Sequence, residues 1–167
     1  MPKYKLLSTE ELNQLEDIFV NFLAANSITA QDWERIKATD KKQMNSLIEQ
    51  FSDVVYEKTL SNVKLLEKRL PNKILMYKID KDKIILEGLE VVGDSPLDFR
   101  QEFNLMDLNS LFTNPNLEVS FIEGRKPYFE EKNKEIFDLM ESGAMISQNS
   151  ALFDALYLLK NDYAEEE

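Results

Sequence analysis

The chain has 167 residues, contains no histidine and no cysteine, and carries a formal net charge of −11. The absence of these two residue types excludes Ser-His-Asp and Cys-His catalytic triads, and it excludes the zinc, haem and iron–sulfur sites that they ligate. The length and a hydrophobic content of 43% are typical of one globular domain. We therefore expect residues 1–167 to form a single domain.

The negative charge is concentrated in the second part of the chain. Residues 1–70 carry 10 Lys and Arg against 11 Asp and Glu, a net charge of −1, and residues 71–167 carry 10 against 20, a net charge of −10. A field of this sign repels nucleic-acid backbones and anionic membranes and favours a protein partner with a basic surface. An acidic excess that serves only solubility is the alternative.

No apolar stretch is long enough to span a membrane, and the N-terminus MPKYKLLSTEEL lacks the apolar segment and cleavage site of a secretory signal. The lack of cysteine agrees with a reducing compartment. We expect a cytoplasmic protein that binds no membrane.

The patterns in residues 8–70 predict a helical section of three helices. Two capping boxes mark helix starts. In a capping box, the side chain of a Ser or Thr and the carboxylate three residues later each accept the other residue's backbone N–H, which has no partner in the helix. The two boxes are Ser8 with Glu11 and Thr29 with Asp32. The first box begins a helix with one apolar stripe, the second begins a short helix over 30–37 that Trp33 anchors, and a third helix runs from Asp40 to a stop at Pro71.

Residues 73–92 predict a β-hairpin, because KILMYKID and KIILEGLEVV are rich in aliphatic and β-branched residues and are separated by a short charged turn. A third strand is predicted over 117–124, with Leu117, Val119 and Phe121 on one face. The sheet is therefore predicted to be small and mainly antiparallel.

Residues 95–160 predict a mixed α/β section. Ser95 with Pro96 is typical of a helix start, and so is Pro127, after which Phe129 is expected on a buried helix face. A left-handed C-cap at Gly143, a short extended piece over 144–146 and a last helix from Asn149 or Ser150 follow. Residues 161–167 are expected to fray. The predicted fold class is α+β, with an N-terminal three-helix section, the sheet, and C-terminal helices.

Two groups of carboxylates are the candidates for chemistry. Asp53 and Glu57 lie on one helix face, where one could act as an acid and the other as a base, and the hairpin carries four oxygen donors for a divalent cation. These four are Asp80, Asp82, Glu87 and Glu90. A small hydrolase that uses carboxylates alone, with or without a metal, is the alternative function. Ordinary solvated charged surfaces are the favoured explanation of both groups, so we expect no catalytic residue, no metal and no cofactor.

The segment EGRKPY suggests an interaction site, because arginine and tyrosine are common in protein interfaces and the segment is predicted to form a loop before a helix. Its residues and the acidic positions that follow are Arg125, Lys126, Tyr128, Glu130, Glu131 and Glu135. The predicted function is a non-enzymatic protein-interaction module that acts through this site or through its acidic C-terminal half. A loop that only balances charge is the alternative.

Three stretches, SITAQDWERIK (27–37), FSDVVYEKTL (51–60) and ESGAMIS (141–147), together with the KYKLLSTEEL start, carry a family resemblance. They resemble an uncharacterised family of small proteins from Bacteroidota that carries a domain of unknown function. The resemblance spans most of the chain. It implies a cytoplasmic, single-domain protein with no assigned activity, substrate or cofactor, and it transfers no catalytic residues.

Overall fold

A computed structural model describes residues 1–166, and the chain divides into two compact units, Met1–Asn62 and Val63–Glu167. The first unit is helical, and the second contains the sheet and the remaining helices. The single-domain organisation of residues 1–167 stays a prediction.

The first unit contains four helical segments: α1 (Thr9–Gln14), α2 (Glu16–Ala25), α3 (Ala30–Thr39) and α4 (Lys41–Ser61). Both predicted capping boxes are confirmed, at the starts of α1 and α3. The single first helix is a wrong prediction, because the backbone leaves the helical conformation at Leu15 (φ −104°, ψ 21°). The N–H of Leu15 is shared between the carbonyls of Glu11 and Leu12, which tightens the chain between α1 and α2.

An aromatic cluster forms the core of this unit. The Phe19 ring lies 4.9 Å from the fully buried Phe51 ring and meets Trp33 edge-on at 5.1 Å. Leu23, Ile36 and Leu47 are buried around it, one from each of the helices α2, α3 and α4. Trp33 therefore anchors α3 to the rest of the unit, as predicted.

The second unit contains five strands and three helices within the described residues: β1 (Leu65–Leu70), β2 (Lys73–Ile79), β3 (Lys83–Val92), α5 (Leu105–Phe112), β4 (Glu118–Pro127), α6 (Lys132–Glu141), β5 (Met145–Ile146) and α7 (Ser150–Glu166). The sheet order is β4-β3-β2-β1-β5, and every pairing is antiparallel. The α+β class, the hairpin and the short extended piece at 145–146 are confirmed.

The helical prediction is wrong for residues 65–70, which form β1. Helix α4 ends at Ser61 because the Asn62 side-chain amide donates to the Lys58 carbonyl and caps the last turn. The backbone of residues 65–70 then pairs with β2, from Leu65 opposite Lys78 to Leu70 opposite Lys73. The ladder satisfies the same backbone groups that a longer helix would satisfy.

The helix predicted after Ser95 is absent, and residues 94–104 have no regular structure. The Ser95 hydroxyl accepts from the Leu97 N–H at 3.1 Å, and the Asp98 carboxylate accepts from the Arg100 N–H at 2.9 Å. These side chains compete with helical bonds for the backbone. Phe99 is nevertheless fully buried, so the segment still contributes to the core.

The last helix is longer than predicted, because α7 continues through Glu166 where fraying was expected from residue 161. The Tyr163 ring packs at 4.5 Å from the Phe112 ring and at 5.9 Å from the Phe121 ring, which holds this end of the helix on the unit. Residue 167 of the predicted tail lies outside the described residues. The start of the helix at Ser150 is confirmed.

The two faces of the sheet are covered differently. Residues directly opposite one another on neighbouring strands point to the same face of the sheet. Ile74, Leu89 and Phe121 are opposite one another, and their side chains pack on one face into a core with α5 and α7. Leu117 and Val119 pack against the same core, so the predicted face of the third strand is confirmed. The other face of the sheet bears the groove described next.

Candidate functional site: a groove between α6 and the sheet

Three neighbouring strands form the floor of the groove. Tyr77 of β2 lies opposite Leu86 of β3, which lies opposite Gly124 of β4, so all three share one face. The opposite wall is formed by Asp138 and Leu139 of α6 and by Ser142, the residue that follows the helix. The cavity has a volume of about 660 Å³, in the range of sites that bind small molecules.

Gly124 keeps the floor open. A Cβ atom built on Gly124 would meet only Leu86, at 3.8 and 3.9 Å, which is ordinary contact distance. The space above the glycine is therefore empty, and a larger side chain at this position would enter the groove without clashing with the backbone. Burial of the neighbouring Tyr77 raises the pKa of its hydroxyl, as expected for an apolar floor.

Glu135 organises the rim at the start of α6. Its carboxylate is buried, pairs with the ammonium of Lys126, and accepts the Phe129 N–H at 3.1 Å. Both carboxylate oxygens are thus used to hold the chain between β4 and α6 in place. This anchoring leaves the Phe129 ring 79% exposed at the mouth of the groove, with the Lys126 ammonium 5.2 Å from the ring centre.

Tyr128 fastens the same segment from the other side. Its hydroxyl donates to the Asp80 carbonyl at 2.6 Å and lies 3.2 Å from the Lys83 carbonyl, in the turn between β2 and β3. Burial, together with the negative charges of Asp80, Glu135 and Asp82, raises the pKa of Tyr128 to about 12. The hydroxyl is therefore a donor at neutral pH.

The model of a family of unknown function, DUF6495, matches residues 1–161 of this chain. The chain belongs to that family. Membership of an uncharacterised family that spans most of the chain is thus confirmed. No curated protein and no solved structure matches the DUF6495 chain. Within residues 1–166, none of the helices combines the length and the apolar character that crossing a membrane requires.

The structure brings the side chains of three of the six predicted interaction residues to the groove: Lys126, Glu130 and Glu135. Arg125 borders the groove through its position in β4, but its side chain lies on the other face of the sheet. Tyr128 and Glu131 do not line it; Tyr128 bonds the hairpin turn, and Glu131 precedes the first residue of α6. The interaction role of the six residues stays a prediction.

Two details of that prediction are wrong. Arg125 and Lys126 lie in a strand and not in a loop, because β4 pairs with β3 as far as Pro127 opposite Lys83. Glu135 is buried and doubly bonded, so it holds the rim in place and is not an exposed contact.

The left-handed C-cap at Gly143 is confirmed, with φ +114°.

The sequence did not indicate the role of Gly124, and it placed Phe129 wrongly. The helix was expected to open at Pro127 and to bury Phe129, but α6 begins at Lys132 and the ring is exposed. No local signal extends the strand past Gly124, because the polar residues Arg125 and Lys126 follow it and only the register with β3 keeps them in β4.

Four of the six carboxylates considered for chemistry, Asp53, Glu57, Glu87 and Glu90, bind cations or backbone donors of the chain itself. Asp53 accepts the Lys3 N–H at 2.9 Å, and Glu57 accepts the Lys3 ammonium at 2.8 Å, which fastens the N-terminal segment to α4. In the hairpin, Glu90 pairs with Lys73 at 3.1 Å. Among residues 1–166, no group of three or more acidic side chains is arranged to hold a metal ion.

The buried carboxylate of Glu87 in β3 belongs to a cluster of ion pairs on the core face of the sheet. Both of its oxygens accept from the Lys160 ammonium, at 2.7 and 2.9 Å, and the same ammonium lies 2.7 Å from Glu123. This cluster fastens α7 to β3 and β4. It lies on the face opposite the groove.

Proposed function

We propose that this chain is a non-enzymatic protein-interaction module that binds a basic protein partner through the groove between α6 and the sheet. The observation that carries the proposal is the Phe129 ring, 79% exposed at the mouth of an apolar groove while its own backbone is anchored by Glu135. Aromatic side chains are enriched in protein interfaces, and those that a partner buries at the centre of the contact carry much of the binding energy.

Charge supports a basic partner. Glu130 and Asp138 line the groove, and residues 71–167 carry a net charge of −10. Such a field raises the rate of encounter with a positively charged surface and repels phosphate backbones, so the partner is a protein and not a nucleic acid. We expect the encounter to take place in the cytoplasm of a Bacteroidota cell.

The test is affinity capture of partners from the native host on the immobilised full chain, followed by calorimetric titration of the purified partner. Phe129→Ser should raise the Kd by at least about tenfold, because the ring is removed from the centre of the contact. Met106→Ser is the matched control, since Met106 is also 79% exposed but lies on α5. Equal binding by wild type and Phe129→Ser would contradict the proposal.

The electrostatic part has its own test. Glu130→Lys with Glu131→Lys should lower the association rate and flatten its salt dependence, while the dissociation rate changes little, because long-range charge acts on encounter. Glu135 is kept as it is, since its replacement would remove the anchor of the rim. An association rate that does not change with these substitutions or with salt would show that charge has no part in recognition.

A further inference from the structure

Strand β4 has one free edge. It is the terminal strand of the sheet and pairs only with β3 among the described residues, so its outer row of backbone N–H and C=O groups has no partner strand in residues 1–166. It is ten residues long, and its side chains at Glu118, Ser120, Glu123, Arg125 and Lys126 are exposed. A free edge of this length is a template for an additional strand.

The edge and the groove are continuous. Ile122, Gly124 and Lys126 alternate onto the groove face, whereas Glu123 and Arg125 point to the other face. On an added strand, the residue opposite Gly124 would direct its side chain into the open space above the glycine and towards Leu86. Large aromatic side chains fill such a space beside an edge glycine.

We propose that the partner docks as an extended segment that adds antiparallel to β4, with an aromatic residue opposite Gly124 and basic residues opposite Glu118 and Glu123. This inference rests on the proposed function and specifies the form of the partner. The sheet of the second unit is antiparallel throughout, and the antiparallel arrangement is the more stable one per residue.

The charges of the edge select among occupants. Glu123 is 66% exposed beside Lys160, and Glu118 forms no ion pair within the described part of the chain, so both favour basic neighbours on an added strand. Arg125 favours an acidic one. A second copy of this chain carries the same net charge of −11, and the long-range repulsion between two acidic chains opposes self-pairing.

The probe is the synthetic peptide acetyl-Thr-Glu-Phe-Lys-Val-Thr-Thr-Val-Lys-amide, labelled with a fluorophore and titrated with the full chain. In the proposed register its Phe lies opposite Gly124, its Glu opposite Arg125, and its two Lys opposite Glu123 and Glu118. We expect saturable binding that weakens at least about tenfold when Phe is replaced by Ala. A second peptide, in which the Glu and the Lys that follows Phe exchange places, has the same composition but places like charges opposite Arg125 and Glu123. This peptide should also bind more weakly.

Two controls isolate the strand geometry. N-methylation of alternate peptide bonds on the docking edge of the peptide should abolish binding, because it removes the donors of the ladder. Gly124→Val should weaken binding by at least about tenfold by filling the floor, while Ser120→Val, on the same face of the same strand but away from the groove, should not. Circular dichroism and the melting temperature of both variants establish that they are folded.

The register is tested by disulfide formation, for which the lack of native cysteine gives a clean background. Ser120→Cys should crosslink quickly to a peptide with Cys in place of the Thr opposite it, and slowly to one with Cys in place of the Val opposite Ile122. Directly opposite Cβ atoms are close enough for a disulfide, and diagonal ones are not.

The outcomes separate this inference from the proposed function. If the N-methylated peptide binds as well as the unmodified one, or if both cysteine peptides crosslink at the same rate, strand addition is wrong. If no probe binds but the captured partner still depends on Phe129, strand addition is wrong and the groove retains its proposed function. A Gly124→Val chain that binds both probe and partner normally would contradict both. Sedimentation of the free chain as a dimer, abolished by Gly124→Val, would assign the edge to a second copy and overturn the inference.

Discussion

The ammonium of Lys160 lies between two carboxylates of the sheet, and its surroundings are well shielded from water. The Lys160 and Glu87 side chains are only 16% and 4% exposed. Burial alone would lower the pKa of Lys160, but its hydrogen bonds to Glu123 and Glu87 outweigh this effect and the pKa is raised. The Lys160 ammonium is therefore charged at neutral pH.

Lys160→Met should lower the free energy of unfolding by about 3 to 5 kcal/mol, because it leaves the Glu87 carboxylate buried without a counter-charge. Adding Glu87→Leu to this variant should recover most of the loss, since an apolar pair needs no compensation. Urea unfolding measures both variants. Lys134→Met, which breaks an exposed pair with Asp138, is the control and should change stability little. A loss of equal size in the control would contradict the role of burial.

The Tyr128 hydroxyl is a second residue whose surroundings predict a measurable effect. Its pKa is raised from 10.0 to about 12 in the folded chain, so its contribution to stability is complete below pH 10 and is lost as the pH rises to about 12. Tyr128→Phe should cost about 1 kcal/mol at neutral pH through the lost hydrogen bond, and its stability should fall less steeply above pH 10. Denaturant unfolding at a series of pH values gives both quantities. A parallel decline in the two proteins would show that Tyr128 titrates normally.

Among the elements, helix α3 is stabilised at its start by the capping box of Thr29 and Asp32. The Thr29 hydroxyl accepts the Asp32 N–H at 3.1 Å, and Asp32 accepts the Thr29 N–H at 3.0 Å in return. Thr29→Ala should lower the free energy of unfolding by about 1 kcal/mol. Thr39→Ala is the matched control, because Thr39 lies at the other end of the same helix and only donates to the Arg35 carbonyl. Equal losses in the two variants would remove the special role of the cap.

At the scale of the whole molecule, the predicted single domain has a simple test. Trp33 is the only tryptophan of the chain and lies in the first unit, whereas the sheet lies in the second. If residues 1–167 unfold as one cooperative domain, the tryptophan fluorescence and the hydrogen-exchange protection of β3 should be lost at the same denaturant concentration. Separate midpoints would mean that the two units unfold independently.

Signals that act within a few residues were sufficient for much of the fold. The capping boxes at Ser8 and Thr29, the hairpin over 73–92, the Gly143 C-cap and the start of α7 all depend on neighbouring side chains and backbone groups, so the sequence alone predicts them. The absence of histidine and cysteine likewise limits the possible chemistry without any coordinates.

Tertiary structure decided the features that depend on distant partners. Residues 65–70 suit either a helix or a strand, and only the pairing with β2 makes them β1. The length of β4 depends on its register with β3, which carries Arg125 and Lys126 into the strand and delays α6 to Lys132. The exposure of Phe129 follows from that delay. The groove therefore exists because of strand pairing between residues far apart in the chain, which no local pattern encodes.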